Sequence, residues 1–170
     1  RPFLWFNYGQ ENKRKFKVTP CFTSIIDINS KEKDDVFNEI DDVKRRDIKK
    51  ALNYEDYKIS NKIDLNLMKK FYKDTMDKNQ GNFDKNACDK IFAFMETQVK
   101  ESKLIQVTTY YLERPIYSVV FINNEDSSCY LYGSGDVHIK NRYAGTICLW
   151  KVIEESIDRK LKFIDLEGIN

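Results

Sequence analysis

The sequence is poor in residues that break secondary structure, since its 170 residues include only six glycines and three prolines. Linkers and disordered tails are normally rich in such residues and poor in aromatic ones. Here 14% of the residues are aromatic and 41% are hydrophobic, so both classes are excluded. The length is enough for one ordinary domain with a sizeable core.

A strong charge of one sign is also absent, because the formal net charge is only +2 at pH 7. A dedicated nucleic-acid binder normally carries a large basic excess, so that class is disfavoured. The apolar runs are far shorter than a membrane-spanning helix requires, and no signal peptide is visible. We therefore expect a cytoplasmic protein without a membrane span.

Residues suited to metal or nucleophilic chemistry are few. The four cysteines, Cys21, Cys88, Cys129 and Cys148, form no C-x-x-C pair. Their scatter predicts reduced thiols in a cytoplasmic protein, and neither a zinc site nor a disulfide framework. His138 is the single histidine, and no serine or cysteine lies at a diagnostic spacing from it. We therefore expect no catalytic triad and no bound metal.

Hydrophobic periodicity predicts an α+β domain, in which helical segments precede a run of strands. We predict strands at 3–8, 21–28, 57–59, 104–112, 116–122, 129–133 and 161–166, and helices at 33–52, 64–76, 84–99 and from about 145 to 159. Asp64 is expected to cap the second helix. The three strands that begin near residue 104 should form an antiparallel meander, with Trp150 and Ile153 of the last helix packed on it.

Three segments carry a resemblance to a known family. The first is the strand-like run at 23–28 followed by Arg45-Arg46-Asp47-Ile48-Lys49-Lys50-Ala51. The second is the end of a later strand, Tyr132-Gly133-Ser134-Gly135-Asp136. The third is Leu149-Trp150 in the last helix, with Asp165-Leu166-Glu167-Gly168 after it. In this order, over about residues 20 to 168, they resemble the R-x-x-I-x-x-A helix, the strand before the central helix, and the D-x-x-G strand end of FemAB-like proteins. That family belongs to the GNAT-like N-acyltransferases.

The resemblance implies an α+β fold with a mixed, mainly antiparallel GNAT-like sheet and helices on both faces. It also implies two tandem lobes. Residues 1–30 would then be the end of a first lobe or a linking hairpin, and residues 31–170 a second lobe that is incomplete at its C-terminus. The chain opens without Met and stops just after a strand-like run. We therefore expect a piece of a longer protein, truncated at both ends.

The function implied by the resemblance is transfer of an acyl or aminoacyl group to an amine of a cell-envelope precursor, such as one for peptidoglycan, or of an amino sugar. The co-substrate would be an acyl-CoA or an aminoacyl-tRNA, with no bound cofactor. Two alternatives stay open from the residues alone. One is a non-catalytic lobe that binds a nucleotide-sugar or a tRNA end, and the other is a structural module.

Asp165 and Glu167 are the candidate catalytic residues, because they end the last predicted strand. Residues two apart on a strand face the same side, so both carboxylates would point into one cleft. Gly168 would let a substrate approach closely. The resemblance favours Asp165 for orienting or deprotonating the amine. A solvated strand end is the alternative.

Donor or phosphate binding is predicted at two basic positions. Arg142 and Gly145 lead into the last helix, whose N-terminus suits an anion. They also resemble the R-x-x-G-x-G/A pyrophosphate motif of CoA-binding GNAT enzymes, although Ile147 replaces its last small residue. Arg45 is implied by the resemblance to contact a phosphate of the acceptor or donor. An ordinary capped helix and a solvated charged face are the alternatives.

Tyr132, Gly133, Gly135 and Asp136 are the predicted cleft-lining residues at the end of the third meander strand. Glycines there would admit a ligand or permit a tight turn. In a GNAT-like sheet this strand and the last strand would be parallel neighbours that splay apart. We therefore predict the acyl-transfer centre between Tyr132 and residues 165–168.

Overall fold

The computed structural model describes residues 23–78, 85–139 and 143–167. Three predictions lie wholly or partly outside these ranges. They are the strand at 3–8, the first residues of the strand that begins at 21, and the first residue of the helix that begins at 84. In chain order the elements are β1 Ile25–Asp27, α1 Lys33–Glu39, α2 Asp42–Leu52, β2 Tyr57–Ser60, α3 Leu65–Lys78, α4 Lys85–Lys100, β3 Leu104–Tyr111, β4 Arg114–Asn123, β5 Ser127–Gly135, α5 Ala144–Asp158 and β6 Phe163–Asp165.

The strands form a single six-stranded sheet with the order β1-β6-β5-β4-β3-β2. Every neighbouring pair is antiparallel except β5 and β6, which are parallel. The meander β3-β4-β5 lies at its centre because these strands are rich in β-branched and aromatic residues. The prediction of a mixed, mainly antiparallel sheet is confirmed.

Helices cover both faces of the sheet, as predicted. On one face, α1, α2 and α5 form the larger core with inward residues of β3 and β4, including Val107 and Val119. On the other face, α3 and α4 form a smaller core around Met68, Met95 and Val120. No helix in the described ranges is long and apolar enough to cross a membrane.

Trp150 of α5 lies in the larger core, as its helical spacing predicted. Only 4% of its surface is exposed, and its ring meets that of Phe37 edge to face with 5.1 Å between centroids. Ile153, one turn further along the same face, is 7% exposed in the same core. The amphipathic face of α5 therefore holds this helix, and α1 with it, against the meander.

The single helix predicted over 33–52 is wrong, because the structure has two helices there. Ile40 adopts extended angles, with φ −68° and ψ 143°, and ends α1. Asp41 then caps α2, its Oδ1 accepting the Val43 N–H at 2.8 Å. An aspartate side chain that accepts hydrogen bonds from nearby backbone amides favours the start of a new helix over continuation of the previous one. The spacing of the apolar residues does not reveal this break.

The predicted cap at Asp64 is confirmed and is reinforced from the sheet. Oδ1 of Asp64 accepts the Leu67 N–H at 2.9 Å, which begins α3. The side chain of Gln106 on β3 accepts the Asp64 N–H at 2.7 Å and donates to its carbonyl at 3.1 Å. Gln106 is 1% exposed, and its amide also contacts Ser118 Oγ at 3.1 Å. A buried amide thus fixes where α3 starts above the sheet.

The strands predicted at 104–112 and 116–122 place a turn at Glu113-Arg114-Pro115, but the turn in the structure begins one residue earlier. The turn residues are Leu112 and Glu113, with φ of 47° and 63°, and β4 starts at Arg114. Two successive left-handed residues match the twist of a two-residue hairpin, although such turns favour asparagine and glycine.

Candidate functional site

The two parallel strands of the sheet separate after a short stretch of pairing. Within the described ranges, β6 pairs with β5 only at Ser127, Ser128 and Cys129, the last of which lies opposite Asp165. Leu166 then donates its N–H to Ser24 O at 2.9 Å, so the chain follows β1 and leaves β5. Because β5 continues to Gly135, its edge from residue 130 onward faces an opening, which we call the split.

A β-bulge lies at the start of the split. Val120 of β4 is opposite Tyr132, while Phe121 is opposite Tyr130, so Leu131 is an extra residue in β5. Tyr130 accordingly packs with the larger core, whereas Leu131 and Tyr132 both pack with the smaller one. A bulge bends its strand and increases the local twist, which is consistent with β5 turning away from β6 here.

The backbone groups that face the split follow from the register. Asp136 donates its N–H to Ile116 O at 2.9 Å, which makes these residues a hydrogen-bonded pair. Such pairs alternate with non-bonded pairs in an antiparallel ladder. Gly133, opposite Val119, and Gly135, opposite Tyr117, are therefore non-bonded pairs, whose N–H and C=O groups point away from β4. These groups line the split.

Helix α5 begins at the same end of the sheet as the split. It connects the parallel strands β5 and β6, so its N-terminus lies beyond the carboxyl end of β5, where helix amides can bind anions. Its cap residue, Tyr143, has a left-handed φ of 65° and makes no side-chain cap hydrogen bond. Ile147 is fully buried in the larger core, so its side chain points into the sheet and away from this end of the helix.

Two predicted site glycines make room for tyrosine rings. A Cβ added to Gly145 would lie 3.1 Å from Cζ of Tyr117. A Cβ added to Gly133 would lie 2.7 Å from the hydroxyl of Tyr130 and 3.3 Å from that of Tyr117. Burial raises the pKa of Tyr117 to about 12, with smaller contributions from Tyr130 and other neighbours. These phenols are therefore neutral packing groups beside the split.

A cavity of about 730 Å³ opens near the start of α5, between the end of α2 and the ends of β2 and β3. Its lining is rich in tyrosine and basic residues: Lys49, Lys50, Asn53, Tyr54, Tyr57, Tyr111, Ile116, Ile139 and Tyr143. Within the part of the chain that the structure describes, neither lysine pairs with a carboxylate. Such a lining suits a ligand that combines a ring with a negative charge.

The tyrosines of this cavity form a continuous aromatic wall. The rings of Tyr54 and Tyr57 are 4.9 Å apart between centroids, and those of Tyr57 and Tyr111 are 6.1 Å apart. Nζ of Lys50 lies 5.7 Å from the centroid of the Tyr143 ring. The sequence pattern does not predict this cavity, because its walls come from separate segments of the chain. The available signal was the pair Tyr54 and Tyr57 just after the basic helix.

Solved structures with this fold are found at low sequence identity. The crystal structure of FemX matches with a TM-score of 0.75 and 10% identity, over 89% of this chain and 54% of that chain. This chain has a FemAB-like, GNAT-like fold. A conserved protein of unknown function from Bacteroides thetaiotaomicron matches with a TM-score of 0.63 and 14% identity, over 87% of this chain and 50% of that chain.

The C-terminal domain of a putative lysylphosphatidylglycerol synthetase from Agrobacterium fabrum has a TM-score of 0.58 and 6% identity, over 87% of this chain and 46% of that chain. This chain thus spans about half the length of each of these three structures. No family model matches the sequence, and no curated protein does. The identities are low enough that the likeness establishes the fold alone.

Asp165 ends β6 at the vertex of the split, but its carboxylate is already engaged. Oδ1 accepts the Glu167 N–H at 2.8 Å and a hydrogen bond from the hydroxyl of Thr23. Glu167 lies beyond the strand with a left-handed φ of 47°, so the two-residue alternation does not extend to it. The structure brings both acids to one strand end and makes Asp165 a cap of the turn. Gly168 lies outside the described residues.

The remaining predicted residues at the end of β5 have separate surroundings. Tyr132 turns toward α3, where the centroids of its ring and the Tyr72 ring are 5.2 Å apart. Its hydroxyl is buried and has no hydrogen-bond partner among the described residues. Asp136 accepts a hydrogen bond from Arg114 at 2.7 Å and from the His138 N–H at 2.9 Å. Burial, the largest single effect, acts to raise the pKa of Asp136, but these bonds outweigh it and hold that pKa below its usual value.

The guanidinium of Arg45, on α2, is already engaged by groups of α1 and α2. It donates to Asn38 O at 3.2 Å and pairs with Asp42. It lines a second, smaller cavity next to Arg46 and Lys49, and Lys49 also lines the tyrosine cavity. The basic face of α2 thus runs between two adjoining cavities. Arg142 lies outside the described residues, so its phosphate contact stays a prediction.

Proposed function

We propose that this chain is the second lobe of an N-acyltransferase that moves an acyl or aminoacyl group to an amine on a cell-envelope precursor or amino sugar. The observation that carries the proposal is the split between β5 and β6. Parallel strands that separate beside a helix N-terminus leave backbone donors and acceptors unpaired in a cleft. Gly133 and Gly135 present such groups to it. The fold shared with FemX supports a transferase.

The chemistry needed is modest. The amine nitrogen attacks the carbonyl carbon of an ester or thioester donor, and the carbonyl electron pair moves to its oxygen. When this intermediate collapses, the carbonyl re-forms and the bond to the ester oxygen or thioester sulfur breaks, which leaves the amide product. The leaving alcohol or thiol takes up the proton that the amine loses. Backbone N–H groups in the split would stabilise the oxyanion, and the two substrates would be held in line. We propose Asp165, at the vertex, as the residue that orients or deprotonates the amine.

The acceptor, in this proposal, occupies the tyrosine cavity. A nucleotide-linked precursor or amino sugar carries rings and phosphates, which suit an aromatic wall beside Lys49 and Lys50. Arg45 and the predicted Arg142 would contribute further positive charge. The donor is an acyl-CoA or an aminoacyl-tRNA that enters the split from the α5 end. We further propose that the protein works in the cytoplasm, which agrees with the free thiols of Cys88, Cys129 and Cys148.

The alternative function is a lobe that binds a nucleotide-sugar or a tRNA end without chemistry of its own. The engagement of Asp165 with Glu167 and Thr23 favours it, because a carboxylate used to hold a turn is less available as a base. Both functions predict ligand binding in the tyrosine cavity. They differ in that only the transferase would form an amide product.

The test is transfer of label by the full-length protein. Radiolabelled aminoacyl-tRNA or acetyl-CoA is supplied with an amine acceptor, either a nucleotide-linked cell-envelope precursor or an amino sugar nucleotide, and label in amide product is measured. Binding of each acceptor is measured by calorimetry in parallel. Lys50→Ala should weaken acceptor binding by roughly tenfold, since a charge-assisted contact is lost. Lys85→Ala, a change on the far helix α4, is the control. Acceptor binding without label transfer would favour the binding lobe.

A further inference from the structure

Tyr143 belongs both to the tyrosine cavity and to the start of α5. Its side chain lines the cavity and packs, half-buried, against the larger core. Nζ of Lys50 lies 5.7 Å from the centroid of its ring. Its backbone caps α5, and its carbonyl accepts the Ile147 N–H at 2.9 Å, which is the first hydrogen bond of the helix. One residue therefore forms part of the cavity wall and also begins the helix.

The backbone conformation of Tyr143 is unfavourable for a residue of its type. Its φ of 65° and ψ of −7° lie in the left-handed region, which bulky residues rarely adopt, and its side chain makes no cap hydrogen bond. Helix caps favour serine, threonine, aspartate or asparagine, whose side chains bind the first amides. Here a large ring stands at the cap, so the contacts of that ring offset the cost of the left-handed backbone.

The residues that follow Tyr143 fit closely against the sheet. Ala144 is fully buried, and its carbonyl accepts a hydrogen bond from the Thr109 hydroxyl of β3 at 3.3 Å. The Tyr117 ring of β4 leaves no room for a side chain at Gly145. The first turn of α5 therefore has a well-defined position on β3 and β4 when Tyr143 is in its left-handed conformation.

A ligand in the tyrosine cavity acts on this conformation through the ring. The left-handed angles place the ring in the cavity wall, and any other backbone conformation at the cap would move it away. A ligand shifts an equilibrium between two states by the difference in its affinity for them. A ligand ring that contacts Tyr143 therefore favours the state in which the start of α5 is ordered.

We propose that Tyr143 is a positioning residue that couples the two substrate sites. An acceptor ring in the tyrosine cavity holds Tyr143 in its left-handed conformation, and this fixes the first turn of α5 at the end of the split, where the donor enters. The inference rests on the proposed function and adds an order to it, because the donor side of the site is fully formed only when the acceptor is bound. It assigns no chemical step to Tyr143.

The first test measures the coupling without turnover, with UDP-glucosamine, an amino sugar nucleotide, as the probe. Hydrogen exchange of the full-length protein is followed in a peptide that contains Ile147. A saturating concentration of the probe should slow exchange of the Ile147 amide about fivefold or more, the lower end of the usual coupling between linked sites. Equal exchange with and without bound probe would overturn the proposal. Absence of binding at millimolar concentration would also overturn it, because the cavity would then not accept this class of ligand.

Variants show whether the ring of Tyr143 carries the coupling. Tyr143→Gly removes the ring and adopts the same left-handed angles without cost, so α5 should still begin in place. Saturating probe should no longer slow exchange at Ile147 in this variant. Tyr54→Ala, in the same cavity wall, is the matched control, because it should weaken probe binding and yet keep the slowing at saturation.

Tyr143→Phe keeps the ring and should behave as wild type. Tyr143→Asn is a second variant without the ring, and asparagine also tolerates left-handed angles, so it serves if the glycine variant does not fold. Slowing of equal size in wild type and in either variant that lacks the ring would show that Tyr143 does not couple the sites.

Label transfer separates this inference from the proposed function. With both substrates saturating, Tyr143→Gly should lower kcat roughly tenfold, whereas Tyr54→Ala should act mainly on the KM of the acceptor. An unchanged kcat in Tyr143→Gly would overturn the inference, while transfer by wild type would still support the transferase. No transfer by wild type from either donor would overturn the transferase, and the exchange results would then decide by themselves whether the cavity and the helix start are coupled.

Discussion

The ring of Tyr117, on β4, lies against the backbone of Gly145 in the first turn of α5, with Cζ 3.1 Å from where a Cβ would be. This contact joins the sheet to the helix start beside the split. It also gives the glycine a packing role beside the donor or phosphate binding predicted for it, which stays a prediction. Its consequences are measurable by substitution.

Gly145→Ala is expected to lower the free energy of unfolding by about 1 to 3 kcal/mol, because the added methyl overpacks the site. Helix propensity acts in the opposite direction by up to about 1 kcal/mol. Chemical denaturation measures the sum. In a Tyr117→Ala background the clash is absent, so the same change should be neutral or stabilising. A loss of equal size in both backgrounds would show that Tyr117 is not the cause.

A substitution in the hairpin turn at Leu112 and Glu113 should stabilise the protein. Both residues have left-handed angles, and Leu112 is 64% exposed. Leu112→Asn should raise the free energy of unfolding by about 0.5 to 1 kcal/mol, because asparagine accepts this conformation more readily. Leu112→Ala is the control, since it removes the apolar side chain without relieving the backbone. Equal stabilities of the two variants would contradict the explanation by backbone angle.

Two substitutions separate the structural role of Asp165 from its proposed catalytic role. Asp165→Asn should fold normally, since the amide oxygen can still accept from the Glu167 N–H and from Thr23. Asp165→Ala should lower the free energy of unfolding by about 0.5 to 1.5 kcal/mol, because both donors lose their acceptor at an exposed site. Thermal unfolding checks both. We expect the asparagine variant to lose transfer activity as well, and undiminished turnover in a folded Asp165→Asn protein would remove Asp165 from the mechanism.

The ion pair between Asp136 and Arg114 predicts a pH dependence of stability. Because the pKa of Asp136 is lowered in the folded state, its contribution is present above the unfolded carboxyl pKa of about 3.9 and is lost as pH falls through the lower folded value. Asp136→Asn should therefore be less stable than wild type at pH 7, with the difference shrinking below about pH 4. Urea denaturation at pH 7 and pH 3 measures it. A difference that is the same at both values would exclude the charge as its source. Asp126→Asn, at an exposed pair with Lys162, is the control and should change little at either pH.

Local sequence patterns were enough to predict most of the helices and strands and the faces that they bury. Helical spacing in α5 predicted the burial of Trp150 and Ile153, and the β-branched runs predicted the central meander. Both signals are local, because the residues that form a face recur within one or two turns or every second strand position. The cap at Asp64 was predictable for the same reason, whereas the cap at Asp41 that divides α1 from α2 was hidden in a continuous apolar pattern.

The features of the candidate site depend on contacts between residues that are far apart in the sequence. The split depends on β6 leaving β5 after Asp165 pairs with Cys129, and the bulge at Leu131 depends on how Phe121 and Tyr130 pack. The tyrosine cavity joins α2 to strand ends far along the chain. The ring of Tyr117 on β4 fills the space beside Gly145, and its hydroxyl also approaches Gly133. The spacing of residues that are close in sequence does not predict these features, because they arise only where the sheet brings separate segments together.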